Sequence, residues 1–353
     1  MPNLVESLTK AVENKVSDVH ISVGIPIIFR KNGALIHSSE EILSPQDTKE
    51  LIYYMLSDDQ QNTLEEMGEV DLAYSLPGVA RFRVNAFRQR GTYAAAIRVI
   101  VSNPPSARDI GLSEEIIGLA DKRSGLVLVT GPTGSGKSTT LASLIDYINT
   151  EKNHNIITLE DPIEYLHKNK KSIILQREVG GDTKSYANAL RAALRQDPDV
   201  ILIGEMRDHE TISIALTAAE TGHLVFSTVH TVGAAKTIDR VTDIFEPFQQ
   251  QQIRVQLSTV LRGVVSQQLL PKADGSGRVA AFEIMFDTPA IANNIREAKT
   301  FQINNVIQTN RGIGMVSMDA YLSDLVKKGV VTFETAVSYA IDKEQFTKMI
   351  KGL

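Results

Sequence analysis

The chain has no cysteine, which excludes disulfides, a thiolate nucleophile and any thiolate-held metal such as a tetracysteine zinc centre. Tryptophan is also missing, and nothing functional follows from that. No apolar run approaches the roughly 20 residues that a bilayer span needs. The opening MPNLVESLTKAVENK reads as a polar amphipathic helix instead of a secretion signal. Positive charge is not in excess, since 37 Lys and Arg stand against 42 Asp and Glu for a formal net charge of -5. That balance offers no electrostatic footprint for nucleic acid. The short basic run HKNKK at 167–171 is expected to be a solvated loop, with a phosphate-binding patch as the alternative. The expectation is an intracellular protein with no nucleic-acid partner.

Over 353 residues, 42% hydrophobic and 22% charged, there is room for two or three domains with substantial cores. Residues 1–101 read as an α+β domain. A first helix leads to short strands DVHISV, IPIIFR and ALIHS, with an Asn32-Gly33 turn between the last two. Two helices then cross 45–67, and the meander EVDLAYSL, ARFRVNAFRQ, TYAAAIRVI follows. The consecutive prolines of SNPPSARDIG make 102–111 the linker. From 112 to 270 the apolar runs LVLVT, NIITL, VILIG and HLVFSTV alternate with helical segments. That pattern predicts an α/β nucleotide-binding core on a parallel sheet buried on both faces. Residues 271–353 open with the strand-like RVAAFEIMF and read as mostly helical.

The stretch TGPTGSGKSTT fits G-x-x-x-x-G-K-S from Gly131 to Ser138. A chance glycine-rich turn is the alternative, and the strand GLVLVT before it and helix STTLASLIDYIN after it argue against that. Gly131, Pro132, Thr133, Gly134, Ser135, Gly136, Lys137, Ser138 and Thr139 are the predicted nucleotide-binding residues. Backbone amides turned inward would hold the phosphates, Lys137 would reach the β- and γ-phosphates, and Ser138 would hold Mg²⁺. In DPDVILIGEMRD, Glu205 ends a buried strand and is the principal acid, with Gly204 where many such enzymes have Asp.

Glu160, Asp161 and Glu164 of TLEDPIEY follow another buried strand. They either form a polar loop or orient water around the metal. Ser227, Thr228 and His230 tip the strand of TGHLVFSTVHT and are expected to sense the γ-phosphate, whereas His223 reads as a satisfied histidine beside a turn. Arg81 and Arg83 alternate with Phe82 and Val84, so they share a face; Arg98 lies on the following strand. These arginines are either plain solvent exposure or fingers for a nucleotide.

GPTGSGKSTT, TLEDPIEY, LRAALRQDPDVILIGEMRD and TGHLVFSTVHT, in that order, resemble the type II/type IV secretion ATPases. SDVHIS and RFRVNAFRQRG extend the resemblance over nearly the whole chain. Within the family the branch that retracts type IV pili is most similar. Assembly relatives carry a tetracysteine zinc site and a long extra N-terminal region, and AIANNIRE at 290–297 resembles the retraction motif AIRNLIRE, with Ala292 and Asn294 departing from it.

The resemblance implies a PAS-like N-terminal domain, a RecA-like core and a homohexameric ring with ATP and Mg²⁺ between domains. It implies Glu164 as the catalytic carboxylate, with Glu205 as the Walker B acid that holds the metal with Ser138. His230 belongs to the histidine box, and Arg83 and Arg98 are the phosphate-reaching arginines. Arg191 and Arg195 match further family arginines, facing the site, an interface or a structural ion pair. The implied partners are the inner-membrane pilus platform protein and an assembly or accessory retraction ATPase, reached from the cytoplasm. An assembly or type II secretion ATPase, a non-hydrolysing nucleotide-binding subunit and a nucleic-acid translocase remain the alternatives.

Overall fold

The computed structural model describes residues 3–31 and 33–351 and divides into two compact units. The first comprises Met1–Asn103 together with Glu164–Leu166. Its opening helix, Leu4–Glu13, buries Leu4, Leu8 and Ala11 along one face, and the Asn3 side chain caps its first turn. The strands are β1 (Asp18–Ile21), β2 (Ile28–Lys31), β3 (Ala34–His37), β4 (Glu69–Leu76), β5 (Ala80–Gln89) and β6 (Thr92–Ser102). They form an antiparallel sheet in the order β3-β2-β1-β6-β5-β4. Asn32 of the expected turn between β2 and β3 lies outside the described residues.

Alternation decides which face is buried. Phe82, Val84 and Ala86 of β5 join Ala95 and Ile97 of β6 in the core, beneath the helices Pro45–Tyr53 and Asp58–Met67. Each of those helices starts with a capping box, on Ser44 and Ser57. A two-residue strand from later in the chain, β9 (Tyr165–Leu166), pairs in parallel with the end of β6.

The second unit comprises Pro104–Ile163 and His167–Leu353. The residues read as a linker therefore divide at Asn103, and Ala107 beyond it is buried in this unit's core. Its strands are β7 (Gly125–Thr130), β8 (Asn155–Glu160), β10 (Ile173–Glu178), β11 (Val200–Ile203), β12 (Leu224–Val229), β13 (Leu261–Pro271) and β14 (Arg278–Phe286). The order is β10-β8-β11-β12-β7-β13-β14, parallel throughout except for β14, which runs antiparallel to β13. Every residue of β7, β11 and β12 is buried, as strands covered on both faces require. Apolar clusters lie on both sides of the sheet, and a further one packs Met318, Leu322 and Phe346 against Leu270 and Ala281.

Sequence reasoning passed over β10 and β13. The polar triplet Ser266, Gln267 and Gln268 interrupts the apolar run of β13, yet all three side chains are buried. The HKNKK run is exposed at its lysines but tied down. Lys170 Nζ donates to both carboxylate oxygens of Asp146 at 2.8 Å, and burial lowers the His167 pKa to about 4.

Candidate nucleotide site

Parallel strands present their carboxyl ends on one edge, where doubly wound sheets bind ligands. Here β8, β11, β12 and β7 are consecutive neighbours, so the loops that follow them share that edge. The loop after β7 leads into the helix Lys137–Glu151. Gly131 has φ 142°, and a Cβ there would stand 2.2 Å from the Gln267 carbonyl oxygen. Gly136, at φ 90°, would bring a Cβ to 2.9 Å from Gln267 Nε2. Gln267 also accepts a hydrogen bond from Thr140 Oγ1 at 2.7 Å. One buried glutamine on β13 thus braces both ends of the phosphate loop. Its signal in the sequence was a glutamine within an apolar run.

Pro132, Thr133 and Gly134 are exposed, and Ser138 and Thr139 are half-buried at the helix start. Lys137 is buried, its Nζ donating to the carbonyls of Gly131 and Pro132 at 3.0 Å. Ser135 Oγ is buried with no hydrogen-bond partner. A buried hydroxyl, a lysine held at the loop and a helix N-terminus make an anion cradle. The fit of Gly131 to its surroundings makes a test. Gly131→Ala should lower stability by about 1–3 kcal/mol or more, because overpacking and a left-handed backbone act together. Nucleotide binding should weaken with it, as read by thermal melting and titration with fluorescent ADP. An alanine variant that binds and melts like the parent would refute the close approach.

Glu205 follows β11 and is nearly buried. Arg207 Nε lies 2.6 Å from one of its oxygens and His230 Nε2 3.2 Å from the other. The carboxylate is therefore fixed from two sides. Gly204 leaves room for a neighbour, since a Cβ there would stand 2.8 Å from the Tyr186 hydroxyl. Burial first, and then the charges of Asp161, Glu205 and Glu160, push the Tyr186 pKa upward and keep the phenol protonated.

Ser227 and Thr228 do not fulfil the expectation of phosphate-sensing tips. Ser227 Oγ donates to the Ile203 carbonyl at 2.8 Å and Thr228 Oγ1 to the Gly204 carbonyl at 2.6 Å. Both hydroxyls are buried and spent on clamping β12 to the end of β11. Of the three, only His230 reaches the acid.

A family model for type II/IV secretion system proteins matches residues 1–344. The chain belongs to that family. A type IV pilus retraction ATPase, PilT, of Pseudomonas aeruginosa is 48% identical over 98% of this chain and 100% of its own length. A twitching motility protein of Neisseria gonorrhoeae is 46% identical over 96% of this chain and 90% of its own. A crystal structure of the pilus retraction motor PilT with bound ADP superimposes with a TM-score of 0.92 at 48% identity, covering 99% of this chain and all of that one.

The acidic box of this family member is divided by the fold. Glu160 accepts hydrogen bonds from Thr158 Oγ1 at 2.7 Å and Gln176 Nε2 at 3.2 Å, and Asp161 is exposed beside it. Glu164 is exposed and goes with β9 into the first unit. In that unit Arg83 and Arg98 are register partners across β5 and β6, both exposed. Arg98 Nε meets Asp18 Oδ1 at 3.1 Å. Arg191 forms an ion pair with Glu210, which is the structural alternative for that arginine, and Arg195 is exposed. His223 is satisfied through Nδ1 by the Ala218 carbonyl at 2.9 Å.

Proposed function

We propose that this chain is an ATPase whose hydrolysis of ATP drives type IV pilus retraction. The observation that carries this reading is the phosphate loop of Gly131–Thr139 on the same sheet edge as the doubly held Glu205, in a chain nearly half identical to a named retraction ATPase. Gly131, Pro132, Thr133, Gly134, Ser135, Gly136, Lys137, Ser138 and Thr139 bind the phosphates. Lys137 leaves its carbonyl contacts for phosphate oxygens, which carry more negative charge.

The Ser138 hydroxyl and the Glu205 carboxylate are hard oxygen donors of the kind that suits Mg²⁺, which takes most of its remaining ligands from phosphate and water. When bound, the ion would neutralise charge on the β- and γ-phosphates. Glu205, steered by Arg207 and His230, and Glu164, the catalytic carboxylate, between them orient the attacking water and take up its proton. Arg83 and Arg98 reach the phosphates as arginine fingers supplied by a neighbouring subunit of a homohexameric ring.

Work is delivered when ATP and ADP favour different packings of the ring. The helix Pro289–Arg296 buries Ile291, Asn294 and Ile295 and leaves Arg296 and Glu297 exposed, which suits it to pass that movement outward. The receiver is the inner-membrane platform of the pilus, reached from the cytoplasmic side, with an assembly or accessory retraction ATPase acting on the same machine. Among the described residues no helix is long and apolar enough to cross a membrane itself.

A deletion strain tests the reading directly. Cells that keep their pili but no longer twitch are the expected result. Loss of pili altogether would point to assembly and overturn retraction.

A further inference from the structure

Glu283 is a charged residue inside the apolar run AAFEIMF of β14, and only 2% of its surface is exposed. Burial raises its pKa, the amides of Ala234 and Met318 oppose that shift, and Asp319 adds to it. One carboxylate oxygen accepts from Ala234 N at 2.7 Å and the other from Met318 N at 3.3 Å. Each amide opens a helix, Ala234–Asp243 and Met318–Lys327. First-turn amides need an outside acceptor and favour negative charge. Neither helix provides one locally, because Gly233 and Ser317 at the cap positions make no side-chain cap bond.

Ser266 stands beside Glu283 in the register of β13 and β14, and its Oγ accepts from Gly233 N at 2.9 Å. Two adjacent strand side chains therefore hold two successive amides. The helix start is tied back to the nucleotide site as well. Thr237 Oγ1 donates to the Gly233 carbonyl at 2.8 Å and meets Thr231 Oγ1 at 2.7 Å. Thr231 follows His230, which contacts Glu205. On the far side, Val316 exchanges backbone hydrogen bonds with Ile284 of β14, two residues before Met318.

Ala234 and Met318 are the first residues of their helices, and a local cap side chain reaches the second or third amide instead; Ser317 already stands at one cap position without such a bond. Local caps could not fasten two helices from distant parts of the chain to one point. We propose that Glu283 is a positioning residue that couples the His230 end of the nucleotide site to the C-terminal helices. The inference rests on the ATPase reading above. When the His230 loop shifts, the start of Ala234–Asp243 shifts with it, and the shared carboxylate passes the displacement to Met318–Lys327 or loses one of its two bonds.

The test uses the full chain carrying Glu283→Gln. The amide oxygen can accept one N–H, while its NH₂ faces the other. ADP affinity should stay within about twofold of the parent, because the phosphate loop is untouched. The kcat should fall by about tenfold or more with KM little changed, the scale of one hydrogen bond to a charged group. Hydrogen exchange is the second readout. In the parent, ADP should alter protection at both helix starts; in the variant the response should stop at Ala234. Glu283→Asp, which keeps the charge but shortens the reach, serves if the glutamine variant does not fold.

A wild-type kcat with an intact response at Met318 would overturn the proposal. A loss of activity that merely tracks a lower Tm would overturn it too. If the parent hydrolyses ATP but shows no response at Met318, the coupling alone is wrong. If the parent responds at both helix starts but hydrolyses nothing, the ATPase reading is wrong and the coupling stands.

Discussion

A chain carrying Glu205→Gln should bind ATP nearly as well as the parent yet release phosphate about 10²–10⁴-fold more slowly, the usual contribution of a positioned general base. Binding should survive because, on the proposed reading, the loop amides and Lys137 make the phosphate contacts. Glutamine keeps the shape of the side chain and one oxygen, so it can accept from Arg207 or from His230, while its NH₂ faces the other. What is lost is the charge that draws the proton from water. Phosphate release in the steady state, beside a fluorescent-nucleotide titration, separates the two effects. Near-normal turnover would mean the acid is misassigned and would move the role to Glu164. Loss of binding and turnover together would make Glu205 a structural group.

The Arg98→Ala chain should be slower still, by about 10³–10⁵, the range for an arginine finger that meets the transferred phosphoryl group. Its ion pair with Asp18 is solvent-exposed on the arginine side and contributes little to folding. A large loss of rate with an unchanged melting temperature is therefore the expected pattern. Mixing it with Lys137→Ala chains gives the sharper result. If one subunit lends its arginine to the loop of the next, some sites in mixed rings pair an intact Arg98 with an intact Lys137. Activity should then rise above that of either parent variant. Mixtures no better than their components would show that the arginine and the loop are not shared between subunits.

These two experiments concern residues that stood out in the sequence for a physical reason. A phosphate loop must have glycines at fixed offsets, because Gly131 has no space for a Cβ. An acid at the end of VILI is conspicuous after four apolar residues. The residues that position them were harder to see. Gln267 braces the loop from 127 residues beyond its partner Thr140, and only contact in space relates the two. Glu283 and the triplet Ser266, Gln267 and Gln268 did leave a trace, as polar side chains in runs otherwise fit for burial. Periodicity classifies such runs but does not say which amides they hold. Ser227 and Thr228 show the opposite failure. Their place at a strand tip suggested a phosphate, while nearby carbonyls on β11 already used both hydroxyls. Ile291 and Ile295, four apart within AIANNIRE, are both buried, as an apolar pair at helical spacing requires.

The three residues Glu164–Leu166 leave the second unit, add a strand to the sheet of the first, and return. The backbone therefore crosses between the units three times, after Asn103, after Ile163 and after Leu166. A gene divided at codon 103 would not yield two self-sufficient halves. The longer product would carry β9 as an orphan with no strand to pair with, and the shorter would show a bare edge at the end of β6, open to other chains. Glu164 is in effect a passenger of the first unit, encoded inside the second. Exchanging the first unit between relatives would leave Glu164 behind unless this three-residue graft were moved as well.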